Sequence, residues 1–357
     1  MGHVDQDVVL ISVVLFISTC ALLGEAKELT VHAHYGLRLF YQWKIWDDRW
    51  SSSDRQTGRL ANKDAMVSLM NRIEGQFTRS DHPRTWHSSV SVRWGSGAPF
   101  ESILDAYIEL QPLMSGLLEL FRSGTLYEKG PRHPHPLPDA RLPYRQAIKD
   151  WTMKCAHLTK LLSGNDDASI VQKASIQIWL TSIEILFESD VARSELAWDR
   201  FQHVFEKIVS VAEISEKKSL TSSATGHGQA ASTGDRLYWP SMCEALSFVA
   251  ERCRDPSIRR RALSLMRASP RQEGLWDTNL LVAIAAARIE IEESGPASND
   301  GLRAGECLCV TNQYICQEHR VVSAAVEFQP DRKAKLFLKS TRHVASKEQG
   351  GAVLITW

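Results

Sequence analysis

The stretch that most restricts the fold is residues 250–278, AERCRDPSIRRRALSLMRASPRQEGLWDT, because helix punctuation stands on both sides of a short basic helix. Asp255 can accept bonds from the first free N–H groups of a helix, and Pro256 at the first helical position sacrifices no hydrogen bond. Ile258, Ala262, Leu265 and Met266 then recur at helical spacing and form one apolar face for a core, while Arg259, Arg260, Arg261 and Arg267 point elsewhere. Pro270 ends the helix, Gly274 permits a turn, Trp276 offers an apolar anchor, and Asp277 can cap the next helix. That second helix runs through Leu280, Leu281, Ile284, Ala287 and Ile291 until Gly295-Pro296 stops it.

CRDPSIRRRALSLM followed by RQEGLWDT resembles the hallmark of the regulatory domain found in fungal binuclear-zinc-cluster transcription factors, C-terminal to the zinc cluster. The residues that carry the resemblance are Cys253, Arg254, Asp255, Pro256, Arg259, Arg260, Arg271, Glu273, Gly274, Trp276 and Asp277. Three further segments fit in the same order: LLGEAKELTVHAHYGLRL, SELAWDRFQHVFEKIVSVAE and HRVVSAAVEFQPDRKAKLFL. The resemblance covers about Val8 to Leu338 and is dense in these four places. It implies a structural role for the signature and a nuclear protein that regulates transcription through protein or effector binding. It also implies that Met1 begins inside a domain whose earlier helices are missing. Six closely spaced cysteines for a binuclear cluster occur nowhere in the chain, so direct DNA binding is doubtful.

With 42 Lys+Arg against 42 Asp+Glu in 357 residues, no whole-chain charge points to nucleic acid or an anionic membrane. Seven scattered cysteines in a chain of this length read as reduced thiols in an intracellular compartment. The most apolar run, VVLISVVLFISTCALL at Val8–Leu23, falls short of the roughly 20 residues a bilayer asks for. Ser12, Ser18 and Thr19 interrupt it, and Asp5 and Asp7 precede it with no Lys or Arg, against the usual charge of a signal peptide. A buried core helix is the expectation, with a membrane-anchored or secreted helical protein through residues 8–23 as the alternative.

After Gly24, a stripe of Ala26, Leu29, Ala33, Leu37 and Phe40 predicts a second helix packed on the first, with His32 on their shared face as a core or boundary residue. Helices are further expected at Met66–Ile73, Phe100–Arg122, Tyr144–Leu162, Ile170–Phe187 and Ser194–Glu213. Between them lie a polar bend at 46–57, a loop at 78–99 and the PRHPHPLP connector within 129–143. Val322, Val326 and Phe328, a Pro330-Asp331 turn, and Leu336 with Leu338 predict one hairpin. The fold class is all-α: an irregular multi-helical domain with a small C-terminal β-hairpin. Residues 1–214 form its helical part, 215–236 a flexible linker, 237–340 the signature helices and hairpin, and 341–357 a tail.

Arg252, Arg254, Arg259, Arg260, Arg261, Arg267 and Arg271 form the one concentrated basic stretch. Because Glu251, Asp255 and Glu273 are near in sequence, a solvated or internally paired role is preferred to phosphate contact. Cys307, Cys309, Cys316 and His319 are acceptable zinc-ligand types, but their C-x-C spacing is unlike common fingers. They are read as chance clustering, with no metal site and less than one zinc per chain expected. No Gly-rich phosphate loop, Ser between glycines or H-E-x-x-H is present, and His133 and His135 fall in the Pro-rich connector. The chain therefore reads as no enzyme, with no catalytic residue and no cofactor. Its expected partners are other transcription-regulatory proteins or a second copy of itself, and no membrane.

Overall fold

The computed structural model describes residues 3–45, single positions within 66–74 and 98–117, and 142–188, 194–224, 242–294 and 307–357, apart from a few positions inside the later ranges. Helix dominates, and a three-stranded antiparallel sheet closes the C-terminal end. The bend at 46–57, most of the loop at 78–99, the Pro-rich run with His133 and His135, residues 225–236 of the linker with 237–241 after it, and the loop at 296–305 lie outside the described residues.

Helix α1, His3–Leu23, and helix α2, Ala26–Trp43, form a hairpin around Gly24, whose φ of +77° is a conformation L side chains rarely adopt. Leu10, Ile17 and Ala21 of α1 pack with Leu29, Ala33, Leu37 and Phe40 of α2, as the stripe predicts. At Gly36 the Val13 side chain of α1 packs directly on the α2 backbone, so an added Cβ would collide with Val13 Cγ1. His32 is half-buried and stacks on Phe16, a boundary position on the shared face. The expectation of a buried core helix holds for one face of α1 only. Val8, Leu15, Phe16, Leu22 and Leu23 stay exposed, Leu15 at 61% and Leu23 at 66%.

Described positions within 66–74 and 103–117 are helical, and their buried side chains join two different cores. Helix α3, Leu142–Leu161, contributes Trp151, whose Nε1 donates to Ala106 O at 2.9 Å. Helix α4, Asp167–Glu188, is apolar on opposite faces because it lies between two cores. Its Ile176, Trp179, Ile183 and Leu186 pack with α3, while Ile178 and Ile185 pack with the signature helices.

A 3₁₀ turn, Glu195–Phe201, leads into helix α5, Gln202–Ala224. Ser194 caps it by accepting from Leu196 N. The helix expected to stop at Glu213 thus continues about three turns into the segment read as linker, with Ser215 buried and Glu216 accepting from Ser269 Oγ. Low apolar content hid this extension, since α5 needs only occasional contacts to run on from a nucleated helix.

Helix α6, Met242–Arg252, helix α7, Pro256–Ala268, and helix α8, Thr278–Glu293, complete the helical part. Between α7 and α8 a two-residue ribbon pairs β1, Gln272–Glu273, with β2, Trp276–Asp277. The sheet follows in the order β3, Val321–Gln329, β4, Lys333–Ser340, and β5, Gly351–Thr356. The hairpin has its turn at Pro330-Asp331-Arg332, with Asp331 and Arg332 both at positive φ. The tail expected at 341–357 is instead folded: helix α9, Thr341–Ser346, is capped by Ser340, and β5 pairs with β4 from Lys333↔Thr356 to Leu338↔Gly351. Ala334, Leu336 and Leu338 face α8, where Leu280, Ile284 and Ala287 wait. On β3 the alternation slips: Val321 is buried, yet Ala324, Val326 and Phe328 share the core face, and a register break between Val321 and Ser323 absorbs the odd residue.

Candidate functional site

The signature helix α7 starts as its punctuation predicts. Asp255 Oδ1 accepts from Ser257 N at 2.9 Å and Ile258 N at 3.0 Å, with Pro256 in the first turn. Its second oxygen takes Gln202 Nε2 at 2.9 Å, tying the cap to α5. Ile258, Ala262 and Met266 are buried, Leu263 joins them, and Leu265 is half-buried at the margin. Cys253 is buried, and that burial pushes its thiol up to about 11, so it is an inert part of the core. Asp277 caps α8, accepting from Asn279 N at 2.8 Å, and meets Arg332 of the hairpin turn at 3.3 Å. Trp276 lies in β2, half-buried, and touches both the helical core and the sheet core. Arg271 and Gly274 lie outside the described residues, and Glu273 is placed only as the backbone partner of Trp276.

The arginines of this stretch do not all point away from the core. Arg259, expected off the apolar face of α7 and either solvated or internally paired, is 0% exposed, and Arg254 is also buried. Both converge on Glu292 near the end of α8: Arg254 Nη2 reaches Oε1 at 2.8 Å and Arg259 Nη2 reaches Oε2 at 2.7 Å. Arg288, one turn earlier on α8, adds its Nε at 3.7 Å, and Val321 N donates to Oε1 at 2.8 Å. Arg259 Nε also donates to Ala250 O, and Arg288 Nη2 to Val321 O. Glu195, on the 3₁₀ turn, accepts from Arg252 at 3.3 Å and from Arg254 at 3.2 Å. The partners found for these arginines are thus far in sequence, where Glu251, Asp255 and Glu273 were expected; Glu251 instead meets Arg288 of α8 at 3.5 Å.

Burial by itself would raise the Glu292 carboxyl, but Arg254, Arg259, Arg288 and the Val321 N–H outweigh it and hold the group at about 2. Burial, with Arg252 nearby, brings Arg288 down to about 9, which leaves it charged at neutral pH. A carboxylate so enclosed and so firmly ionised is no general base; it is the hub joining α6, α7, α8 and β3. Nearer the surface, Arg260 meets Glu293 at 2.5 Å, and Arg261 bridges to Glu206 at 2.6 Å and Glu213 at 2.9 Å on α5. Glu195, Arg288, Glu292 and Arg320 were missed in the sequence. The readable signal was Arg288 and Glu292 at i, i+4 on a helix otherwise apolar on two faces.

A second constellation sits beside this hub. Cys307, Cys309, Cys316 and His319, read from their spacing as a chance cluster, come together with ligand atoms all within 4.8 Å of one another. His319 Nδ1 lies 3.5 Å from Cys307 Sγ, 3.3 Å from Cys309 Sγ and 3.1 Å from Cys316 Sγ. Local structure explains the meeting. Val310 and Tyr314 form a tight β-bridge that turns the chain back, setting Cys309 beside Cys316. A 3₁₀ turn, Gln317–His319, then brings His319 over Cys316, since side chains three apart eclipse in that geometry. The segment is stapled to the helices by Arg320, which grips Asp199 with both Nη atoms at 2.7 Å and Glu195 O at 2.8 Å. Gln317 Oε1 adds a bond from Ser194 Oγ at 2.9 Å.

Against known proteins, the chain is similar to the aspercryptin biosynthesis cluster-specific transcription regulator atnN of Emericella nidulans, at 23% identity over 414 aligned positions. This is a distant likeness to a fungal transcription regulator. It covers 93% of this chain but 65% of that protein, so the chain spans less than two thirds of its relative's length. No family model matches the chain, and no solved structure matches it.

Proposed function

We propose that the chain is a fungal transcription-regulator-like domain, nuclear, that works by binding other regulatory proteins, a second copy of itself or a small effector, and carries out no chemistry. The observation that carries this is the similarity to a transcription regulator along 93% of the chain. The inward arginines support the further reading that this domain is not itself a DNA reader. Arg254 and Arg259 are buried around Glu292, and Arg260 and Arg261 are paired with Glu293, Glu206 and Glu213, so these four are drawn away from phosphates. Fusion to an unrelated DNA-binding domain tests the proposal: the tethered chain should change reporter transcription relative to that domain alone. The purified chain should bind duplex DNA weakly and without sequence preference at physiological salt. An unchanged reporter with the fusion present in the nucleus, or selective nanomolar DNA binding by the chain alone, would overturn it.

A second reading, a membrane-anchored or secreted helical protein, is favoured by one feature. Asp5–Leu23 is long and apolar enough to cross a bilayer, and 22% of it is buried against the rest of the protein. Cell fractionation of a C-terminally tagged chain separates the two, since a membrane pellet that resists alkaline extraction would favour the second.

A further inference from the structure

We infer that Cys307, Cys309, Cys316 and His319 form a closed structural zinc site. A tetrahedral zinc with three thiolates and one imidazole, at bond lengths near 2.3 and 2.0–2.1 Å, sets its ligand atoms roughly 3.5–3.8 Å apart. Here Cys307 Sγ to His319 Nδ1 and Cys309 Sγ to Cys316 Sγ are each 3.5 Å, and the other two sulfur–nitrogen distances are 3.3 and 3.1 Å. The sulfurs are not disulfide-bonded: Cys309 Sγ and Cys316 Sγ stand 3.5 Å apart, where a disulfide needs about 2.0 Å.

Hydrogen bonding alone does not account for this convergence. Three sulfurs approach one ring nitrogen, Nδ1, which in neutral imidazole has either one lone pair or one proton to offer. A single divalent cation satisfies all four atoms at once. Two backbone N–H groups already point at sulfur, Cys309 N to Cys307 Sγ at 3.4 Å and Cys316 N to Cys309 Sγ at 3.2 Å. Such donors stabilise thiolates and orient them, as the supporting shell of a metal site does. The S₃N set selects zinc over harder oxygen-seeking cations. Four protein ligands, with Cys316 and His319 buried, leave no open position for substrate, so the role is structural.

The site's place in the fold says what it stabilises. The ligands end at His319, and the next two residues are the anchors: Arg320 on Asp199, and Val321 on Glu292. Zinc would therefore set the entry into β3 and, through it, the seating of the sheet on α8. Binding converts three thiols to thiolates and releases their protons, so affinity falls with falling pH. This replaces the expectation, drawn from spacing, of less than one zinc per chain.

Metal analysis of the full chain, purified under reducing conditions and dialysed, tests the inference. About one zinc per chain is expected, dropping at least tenfold in Cys309→Ala and unchanged in Cys253→Ala, whose thiol is buried elsewhere. Should Cys309→Ala not fold, the unaltered chain still decides. Exchange of its metal for Co²⁺ should give the visible bands of tetrahedral cobalt with thiolate charge transfer, and the bound metal should protect three of the seven cysteines from alkylation. A folded chain without stoichiometric zinc, cobalt bands absent or octahedral, or zinc retained in a folded Cys309→Ala would each overturn it.

Discussion

Three guanidiniums and one backbone N–H are directed at the single carboxylate of Glu292. Removing its charge leaves Arg254, Arg259 and Arg288 buried with too little to neutralise them, which typically costs about 3–5 kcal/mol. Glu292→Gln should therefore lower the unfolding midpoint sharply, as read by circular dichroism on heating. The pH dependence has a definite sign. Its folded value, about 2, lies below the ordinary 4.5, so the stabilisation is present above 4.5 and is lost as pH falls toward 2. At most roughly 3 kcal/mol should disappear across that window in the unaltered protein. Glu292→Gln should show a shallower acid slope there; an equally steep slope would mean that another carboxylate sets it.

The ribbon between α7 and α8 works as a hinge pin, because Trp276 is packed against the core on one side and the sheet on the other. It is only half-buried, so Trp276→Ala should cost about 2–3 kcal/mol, less than the 3–5 typical of a fully buried Trp. Arg260 is 50% exposed and its pair with Glu293 lies near water, so Arg260→Glu should cost about 1 kcal/mol or less. Urea unfolding of both variants checks the order, and a larger loss from Arg260→Glu would reverse these roles. Helices α4 and α8 explain why the pin matters: each carries two apolar faces and belongs to two cores, so slippage at either is felt in both.

Across the molecule the C-terminal strand closes the structure. Strand β5 covers the edge of β4, buries Ile355 on the α8 side, and returns Trp357 N to Arg332 O at 3.1 Å. Arg332 in turn lies against Gly24, so the sheet turn abuts the first helical hairpin. Deleting residues 350–357 should bare the β4 edge and uncover Leu336, with a lower unfolding midpoint and association on size-exclusion chromatography. A monomeric, undiminished truncation would return this segment to the status of a tail.

Local chemistry was enough for the elements whose signals lie within a few residues. Asp255-Pro256 and Asp277 cap their helices as written, the α1–α2 stripe pairs as its spacing demands, and the Pro330-Asp331 turn makes its hairpin. The fold class follows from these, since period and punctuation are properties of neighbouring residues. The rest depended on residues brought together from afar. An arginine next to Ile258 reads as solvated or internally paired, and its partner, Glu292, 33 positions away, is named only by the fold. Four loop side chains read as chance until a β-bridge and a 3₁₀ turn set them within 4.8 Å, and β5 reads as tail until β4 offers it an edge. A buried charge, a metal-like cluster and an edge strand are each defined by their partners, and partners that distant leave no periodic trace in the chain.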